Sequence, residues 1–316
     1  MKNLNLNLTR AIIATAISLL IFFLLFLQID ADQVLRVIFS SDLQLILLTV
    51  FISLAVNIFW GALKWKRILF ALGYPLSFKE VLSIRSGCLP LKIVFPLKTS
   101  ELIKAYYLEK QRNLPFMRGL SSILLDKMLN LLVTLGIFLI GVSVVQINLP
   151  RFLPIIALLV TAVFLFSSPL RGILLKLSQK INLKFYQFTV QLFSSFQEIS
   201  VKEKIILTCY SIVYQLSEFM NTYILFKAVG ISVPFSLLLV FVPLVMIINN
   251  FPITVLGLGT REALMVFLFA RYGPGSFLLS AGILVSLVEH ILPVVFGLFF
   301  IKSFLDYFLP KGNTSS

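Results

Sequence analysis

The chain has 316 residues, of which 59% are hydrophobic and only 13% are charged, and its mean hydropathy is +1.01. Soluble domains carry about 25% charged residues, so this composition excludes a soluble enzyme and predicts a polytopic α-helical membrane protein. The net charge of +14 is spread between apolar runs instead of forming one basic stripe. This distribution argues against nucleic-acid binding and indicates loops that face an anionic cytoplasmic leaflet.

Apolar runs long enough to cross about 30 Å of hydrocarbon recur along the whole chain. They lie at residues 11–29, 43–63, 120–146, 205–226 and 277–301, with shorter runs at 152–168 and 235–250. A further run at 251–270 is broken by Pro252, Gly257 and Gly259, and we interpret it as an interrupted crossing. The sequence therefore predicts one all-α membrane domain over residues 1–316, with about eight crossings, one of them a broken helix.

The lysines and arginines between these runs predict the orientation, because basic residues resist translocation. Basic segments at 64–118 and 170–204 follow the second and fourth runs, Lys2 and Arg10 precede the first run, and Lys302 follows the last. The acidic stretch 30–42 is expected to be an external loop. Eight crossings then place both termini in the cytoplasm, and the expected location is the cell membrane.

Two of the basic segments are too apolar to be plain linkers. Residues 81–97 are half apolar but are interrupted by Arg85, Pro90 and Lys92, so we interpret them as a re-entrant segment that enters from the cytoplasm and returns. Residues 170–204 mix lysines with leucine and phenylalanine in a basic amphipathic pattern. That pattern fits either a helix in the headgroup plane or a cytoplasmic helix that caps the bundle.

Two similar motifs indicate an internal pseudo-repeat. The first is Phe95-Pro96 followed by Thr99, Ser100 and Glu101, and the second is Phe251-Pro252 followed, after Gly257 and Gly259, by Thr260, Arg261 and Glu262. Each predicts broken backbone and then a helix start, where threonine or serine accepts free N–H groups and glutamate lies at the positive end of the helix dipole. Paired broken helices mark the binding site of transporters, although ordinary helices also begin this way. The functional interpretation predicts that the two helix starts converge.

Ionisable residues inside apolar runs are costly, and they usually face a bundle interior or a water-filled path. Those of this chain are Asp126 and Lys127 in the third run, Glu218 midway along the fifth, and Glu289 and His290 midway along the eighth. One interpretation is that they line a polar path for a substrate. The alternative is internal pairing, in which the acids neutralise Lys127, Arg261 or protonated His290 and only hold helices together.

Together these residues resemble the transmembrane region of the lysylphosphatidylglycerol synthase family, also called the flippase-like membrane domain family. The matching segments are Arg67 to Gly73, Phe95-Pro96 to Lys104-Ala105, Asp126-Lys127, and the turn from Gly257 to Glu262. The family usually has arginine and glycine where this chain has Lys98 and Ser100, so charge is kept but bidentate phosphate geometry is not. Relatives tend to carry an arginine in the last span, where this chain has Glu289-His290.

The resemblance implies that the protein moves lipids between leaflets. In this hypothesis Glu218 and Glu289 tune the passage of an anionic headgroup or exchange protons, while lipid tails stay in the bilayer. The headgroup is collected by a basic inner mouth, formed by Lys92, Lys98, Lys104 and Arg261. Lipid aminoacylation is not expected, because no soluble transferase domain follows the last run.

Two alternatives from other classes stay open. The acidic pair Asp30 and Asp32, directly after the first run, is of the kind that membrane glycosyltransferases use to hold a metal ion, although the predicted external loops are short. The other alternative is a noncatalytic partner of a lipid glycosyltransferase or synthase. No cofactor or metal site is predicted, because the chain has one histidine and its two cysteines, Cys88 and Cys209, are far apart.

Overall fold

The computed structural model describes residues 2–94, 99–145, 201–249 and 254–305, together with individual positions between 155 and 200. All regular structure in this part is helical. The first half contains α1 (Lys2–Gln28), α2 (Ala31–Ser40), α3 (Leu43–Ser53), a π-helix (Leu54–Trp60), α4 (Gly61–Ala71), α5 (Phe78–Gly87), α6 (Leu91–Val94), α7 (Thr99–Arg112) and α8 (Phe116–Val145). The second half contains α9 (Val201–Ala228), α10 (Phe235–Asn249), a 3-10 turn (Val255–Gly257), α11 (Thr260–Leu268), α12 (Gly275–Ser286), a second π-helix (Leu287–Ile291) and α13 (Leu292–Leu305).

Three continuous helical rods in the described part are long and apolar enough to cross a membrane. They are Leu43–Ala71, Phe116–Val145 and Gly275–Lys302. Helix α9 has 28 residues over the predicted run 205–226, and α10 is a shorter apolar helix. The predicted all-α membrane fold is therefore confirmed. The runs 152–168 and 170–204 lie mostly outside the described residues, so the count of eight crossings stays a prediction.

The first apolar run ends in a bend that the sequence does not reveal. Helices α1 and α2 meet at 93°, and the Asp30 carboxylate caps α2 by accepting the Asp32 N–H at 2.9 Å. Helix α2 buries Val34 and Val37 and packs against α12, where Ser280 donates to the Val34 carbonyl oxygen at 3.1 Å. The stretch expected to be an external loop is therefore largely a helix that folds back on the bundle.

The predicted re-entrant segment is packed into the bundle. Helix α5 lies along α13, where a Cβ on Gly87 would meet the side chain of Phe304. Helix α6 contacts the 3-10 turn that precedes α11. Val81 and Ile84 are fully buried by these contacts. Residues 81–94 therefore lie against the last span and the broken span, and their re-entrant path stays a prediction.

The predicted broken span at 251–270 is indeed interrupted. Between α10 and α11 the backbone takes positive φ angles at Leu256 (55°), Gly257 (77°) and Gly259 (89°), which no helix can contain. Helix α11 then begins at Thr260, as the motif predicts. The Phe-Pro entries of both motifs lie outside the described residues.

Helix α1 covers this turn closely. The Ser18 hydroxyl accepts the Val255 N–H at 3.3 Å, and a Cβ added to Gly259 would lie 3.1 Å from the Ser18 carbonyl oxygen. Residue 259 must therefore be glycine for two reasons, its backbone angle and the close approach of another helix.

Candidate functional site

Asp126 pairs with side chains of other helices and not with its neighbour Lys127. Its carboxylate lies 2.8 Å from the Lys64 Nζ of α4 and 4.0 Å from the Arg85 guanidinium of α5. The side chain of Lys64 is only 1% exposed and also donates to Asn130 Oδ1 at 2.6 Å. Successive residues of a helix point in different directions, so the ion-pair partners of Asp126 come from α4 and α5.

Glu101 holds a second group of charges. One of its oxygens accepts a hydrogen bond from Lys104 Nζ at 2.7 Å, and the other lies 3.4 Å from Lys127 Nζ. Lys104 Nζ also lies 5.7 Å from the centroid of the Trp65 ring, within cation–π distance. The Lys127 side chain is 48% exposed, in contrast to the buried side chains of Glu101 and Lys104.

We call these two groups together the basic layer. Its basic side chains are Lys64, Arg85, Lys92, Lys104 and Lys127, and its carboxylates are Glu101 and Asp126. Four of these basic side chains lie within 4.0 Å of the two carboxylates, and such an excess of basic groups favours an anionic ligand. Lys98 and the side chains of Thr99 and Ser100 lie outside the described residues, so their predicted roles stay predictions.

A second group of polar residues, which we call the acidic layer, contains Glu218, Arg261, Glu262 and Glu289. Glu289 accepts hydrogen bonds from the side-chain amides of Asn57 and Asn221. Glu218 lies within electrostatic range of Glu289 and Arg261. Within the part of the chain that the structure describes, the Glu218 carboxylate makes no hydrogen bond or ion pair.

Arg261 and Glu262 are joined through a serine of the last span. Arg261 donates to Ser286 Oγ at 2.8 Å, and Ser286 in turn donates to Glu262. The second oxygen of Glu262 accepts the Gly259 N–H at 2.6 Å and so caps α11. The prediction that threonine caps this helix is wrong, because Thr260 is its first helical residue and its hydroxyl donates back to the turn. Glu262 is fully buried, with both oxygens used inside the protein.

The two layers are close enough to influence one another. Lys127 of the basic layer is within electrostatic range of Glu218, and Lys92 is within range of His290. The structure places Glu101 in the basic layer and Glu262 in the acidic layer, each with partners of its own. A single site shared by the two glutamates therefore stays a prediction, whereas α6 and the 3-10 turn do meet.

Sequence reasoning misses several residues of the two layers and the asparagine partners of Glu289. By sequence alone, Lys64 and Arg85 are ordinary loop charges that set topology. The amides of Asn57 and Asn221 are lone polar groups within apolar runs, and this is the signal that could identify them. A buried amide in a membrane span needs a partner, and here the partner is Glu289.

The acidic pair Asp30 and Asp32, on which the glycosyltransferase alternative rests, forms the capped start of α2. The Asp30 carboxylate accepts the N–H of Asp32 at the start of α2. Among the residues that the structure describes, no three His, Cys, Asp or Glu side chains converge in a way that could hold a metal ion.

Comparisons with known proteins cover nearly the whole chain. Residues 11–297 match the model of the family described as the lysylphosphatidylglycerol synthase TM region, and both polar layers lie within this match. The chain is also similar to the UPF0104 membrane protein MJ1595 of Methanocaldococcus jannaschii, with 22% identity over 323 residues, 93% of this chain and 95% of that protein. The protein described here therefore belongs to the family of the lysylphosphatidylglycerol synthase transmembrane region.

Proposed function

We propose that this protein moves a lipid with an anionic headgroup between the two leaflets of the membrane. The observation that carries the proposal is the excess of basic groups in the basic layer, where four basic side chains, those of Lys64, Arg85, Lys104 and Lys127, lie within 4.0 Å of only two carboxylates. Unbalanced charges among membrane spans are expensive, so their presence indicates a ligand or a path. A lipid phosphate supplies the negative charge that the layer lacks.

The cations of the layer differ in how available they are to a phosphate. Lys64 and Lys104 make short ion pairs of 2.8 and 2.7 Å with carboxylates of the layer. Arg85 and Lys127 lie farther from their partners, at 4.0 and 3.4 Å, and the Lys127 side chain is half exposed. We therefore assign phosphate binding to Arg85 and Lys127, while Lys64 and Lys104 hold the helices of the layer together.

The path of the headgroup follows from the order of the layers. Lys127 is paired with Glu101 of the basic layer and also interacts electrostatically with Glu218 of the acidic layer. A phosphate bound to Lys127 would therefore lie where the two layers meet. The lipid tails remain outside, where large apolar side chains such as Leu131 and Ile140 of α8 are exposed. Only the headgroup then needs to leave the hydrocarbon, which removes most of the cost of crossing it.

Reconstitution in liposomes tests the proposal. Fluorescently labelled phosphatidylglycerol is bleached from outside with dithionite, and the rate at which the inner leaflet becomes accessible reports exchange. Wild-type protein should speed exchange, whereas Lys127→Gln and Arg85→Gln should each slow it about tenfold, because each removes a charge-assisted hydrogen bond to phosphate. Lys110→Gln, the same substitution on an exposed face of α7, is the matched control and should leave exchange unchanged.

The outcomes separate the three classes of function. Exchange no faster than in protein-free liposomes, for both phosphatidylglycerol and a polyprenyl phosphate lipid, would refute translocation. Transfer of a sugar from a lipid-linked donor that depends on Asp30 and Asp32 would instead support the glycosyltransferase alternative. A noncatalytic partner would show neither activity by itself.

A further inference from the structure

The carboxylate of Glu289 is surrounded by polar side chains, and the two asparagines among them have unpaired oxygens. The side-chain nitrogens of Asn57 and Asn221 donate to it, and Ser53 Oγ lies 3.5 Å from one of its oxygens. Within the described residues, the side-chain oxygens of both asparagines are buried and have no hydrogen-bond partner. Asn221 is 1% exposed and Asn57 is 9% exposed. Buried polar atoms are almost always paired, so two unpaired oxygens at one carboxylate point to a missing ligand.

Two of the three helices that carry this cluster widen into π-helices at the cluster itself. Asn57 lies in the π-helix Leu54–Trp60, and Glu289 lies in the π-helix Leu287–Ile291. Such segments are rare and occur frequently at functional sites. Asn57 is residue 15 of the 29 in its span, and Glu289 is residue 15 of the 28 in its own. The cluster therefore lies midway along two spans, where a polar group is most expensive.

The chemistry of the asparagine amide identifies the kind of ligand. The amide carries a donor nitrogen and an acceptor oxygen at nearly equivalent positions, and half a turn of the side chain exchanges them. With the nitrogens on Glu289, the ionised carboxylate is satisfied but two oxygens are stranded. With the oxygens on Glu289, a bound cation or a proton on the carboxylate is needed to offset the repulsion between the oxygens, and a cation can be shared by all of them. Its ligands would then be oxygens from Glu289, Asn57, Asn221 and Ser53.

The surrounding charges also favour a cation. Glu289 and Glu218 lie within electrostatic range of each other, and Glu262 is a third carboxylate in the acidic layer. Arg261 is the permanent cation of this layer within the described residues, and it is hydrogen-bonded to Ser286. One positive ion beside Glu289 would bring the layer closer to neutrality.

We infer that Glu289, Asn57, Asn221 and Ser53 form a binding site for a sodium ion. Oxygen ligands suit a hard cation, and one carboxylate matches a single positive charge. If the proposed lipid translocation is correct, sodium at this site removes the repulsion that an anionic headgroup meets when it leaves the basic layer. This coupling rests on the proposed function, whereas sodium binding itself does not.

The binding is tested with the full-length protein purified in detergent. Radioactive sodium is measured by equilibrium dialysis, and the apparent Tm is measured in sodium, potassium and choline chloride at equal ionic strength. Wild-type protein should bind sodium saturably and gain stability with sodium more than with potassium or choline. Glu289→Gln should abolish the binding, and Asn57→Ala or Asn221→Ala should weaken it about tenfold or more.

A pair of serine variants controls for general effects of the substitutions. Ser53→Ala removes a ligand and should weaken sodium binding. Ser280→Ala removes an equally buried serine from the rod that carries Glu289, about 13 Å away along the helix, and should leave sodium binding unchanged.

Measurements on wild-type protein are enough to refute the inference, even if a variant fails to fold. Absence of saturable sodium binding would refute it, and so would unchanged binding by Glu289→Gln. If stability depends on pH but not on sodium, and does so only while Glu289 is present, the site binds a proton and the sodium inference is wrong. Sodium binding without any lipid exchange would refute the proposed function and leave the sodium site standing.

Discussion

The buried pair of Lys64 and Asp126 tests which charges hold the basic layer together. Lys64→Met leaves the Asp126 carboxylate, on a side chain that is 11% exposed, with Arg85 at 4.0 Å as its remaining cation. Removing one partner of a buried pair costs about 3–5 kcal/mol, and the presence of Arg85 places this variant near the lower value. Asp126→Leu leaves Lys64 with Asn130 Oδ1 at 2.6 Å and should also destabilise.

The double variant Lys64→Met, Asp126→Leu should be more stable than either single variant. Replacement of a buried ion pair by apolar residues of similar size is often neutral, so we expect stability within about 1 kcal/mol of wild type. The interaction energy in the double-mutant cycle should then be at least about 2 kcal/mol. The measurement is unfolding of all four proteins in one detergent, followed by lipid exchange in liposomes.

Two results would refute this reasoning about the pair. Additive losses in the cycle would show that Lys64 and Asp126 do not stabilise each other. A double variant that folds like wild type but exchanges no lipid would show that the pair is needed for exchange itself and not only for stability. The expected result is a folded, active double variant, in contrast to a folded and slow Lys127→Gln.

Three further predictions concern the turn, the acidic layer and the topology. Gly259→Ala should destabilise by about 1–3 kcal/mol, because of its φ of 89° and its contact with α1, whereas Gly136→Ala, where an added Cβ meets nothing within 4 Å, should not lower the apparent Tm. Glu218→Gln should fold like wild type but lose lipid exchange, and a large loss of stability would instead indicate a structural pair. In a background without native cysteines, Arg271→Cys, at an exposed position, should react with an impermeant reagent in intact cells, and Ser316→Cys should not; labelling at position 316 would overturn the orientation.

The positions of the helices are largely readable from the sequence. The runs at 120–146 and 277–301 become helices at Phe116–Val145 and Gly275–Lys302, because the thickness of the bilayer sets the length of a spanning helix. The break before Thr260 is readable for a different reason. Glycine readily adopts positive φ angles, and the structure has positive φ at the two closely spaced glycines, Gly257 and Gly259.

The partners of the charged residues are not readable in the same way. Asp126 is adjacent to Lys127 in the sequence but binds Lys64 and Arg85, because neighbours on a helix diverge while side chains of packed helices meet. Apolar runs face lipid and protein with similar residues, so their pattern does not reveal which helices pack together. The cluster around Glu289 contains residues from three helices and therefore depends on that packing.

In the proposed mechanism, the opposite charges of the two layers form a gate between them. A phosphate bound to the basic layer would be attracted by its cations and repelled by Glu218 and Glu289 ahead of it, and both effects would be strong at low dielectric constant. Sodium beside Glu289 would lower this barrier, and Glu289→Gln would imitate the neutralised state permanently. Lipid exchange by wild type should therefore be faster in sodium than in choline chloride, while exchange by folded Glu289→Gln should be equal in the two salts. Sodium stimulation that persists in this variant would show that the gate is elsewhere, whatever the rate of exchange.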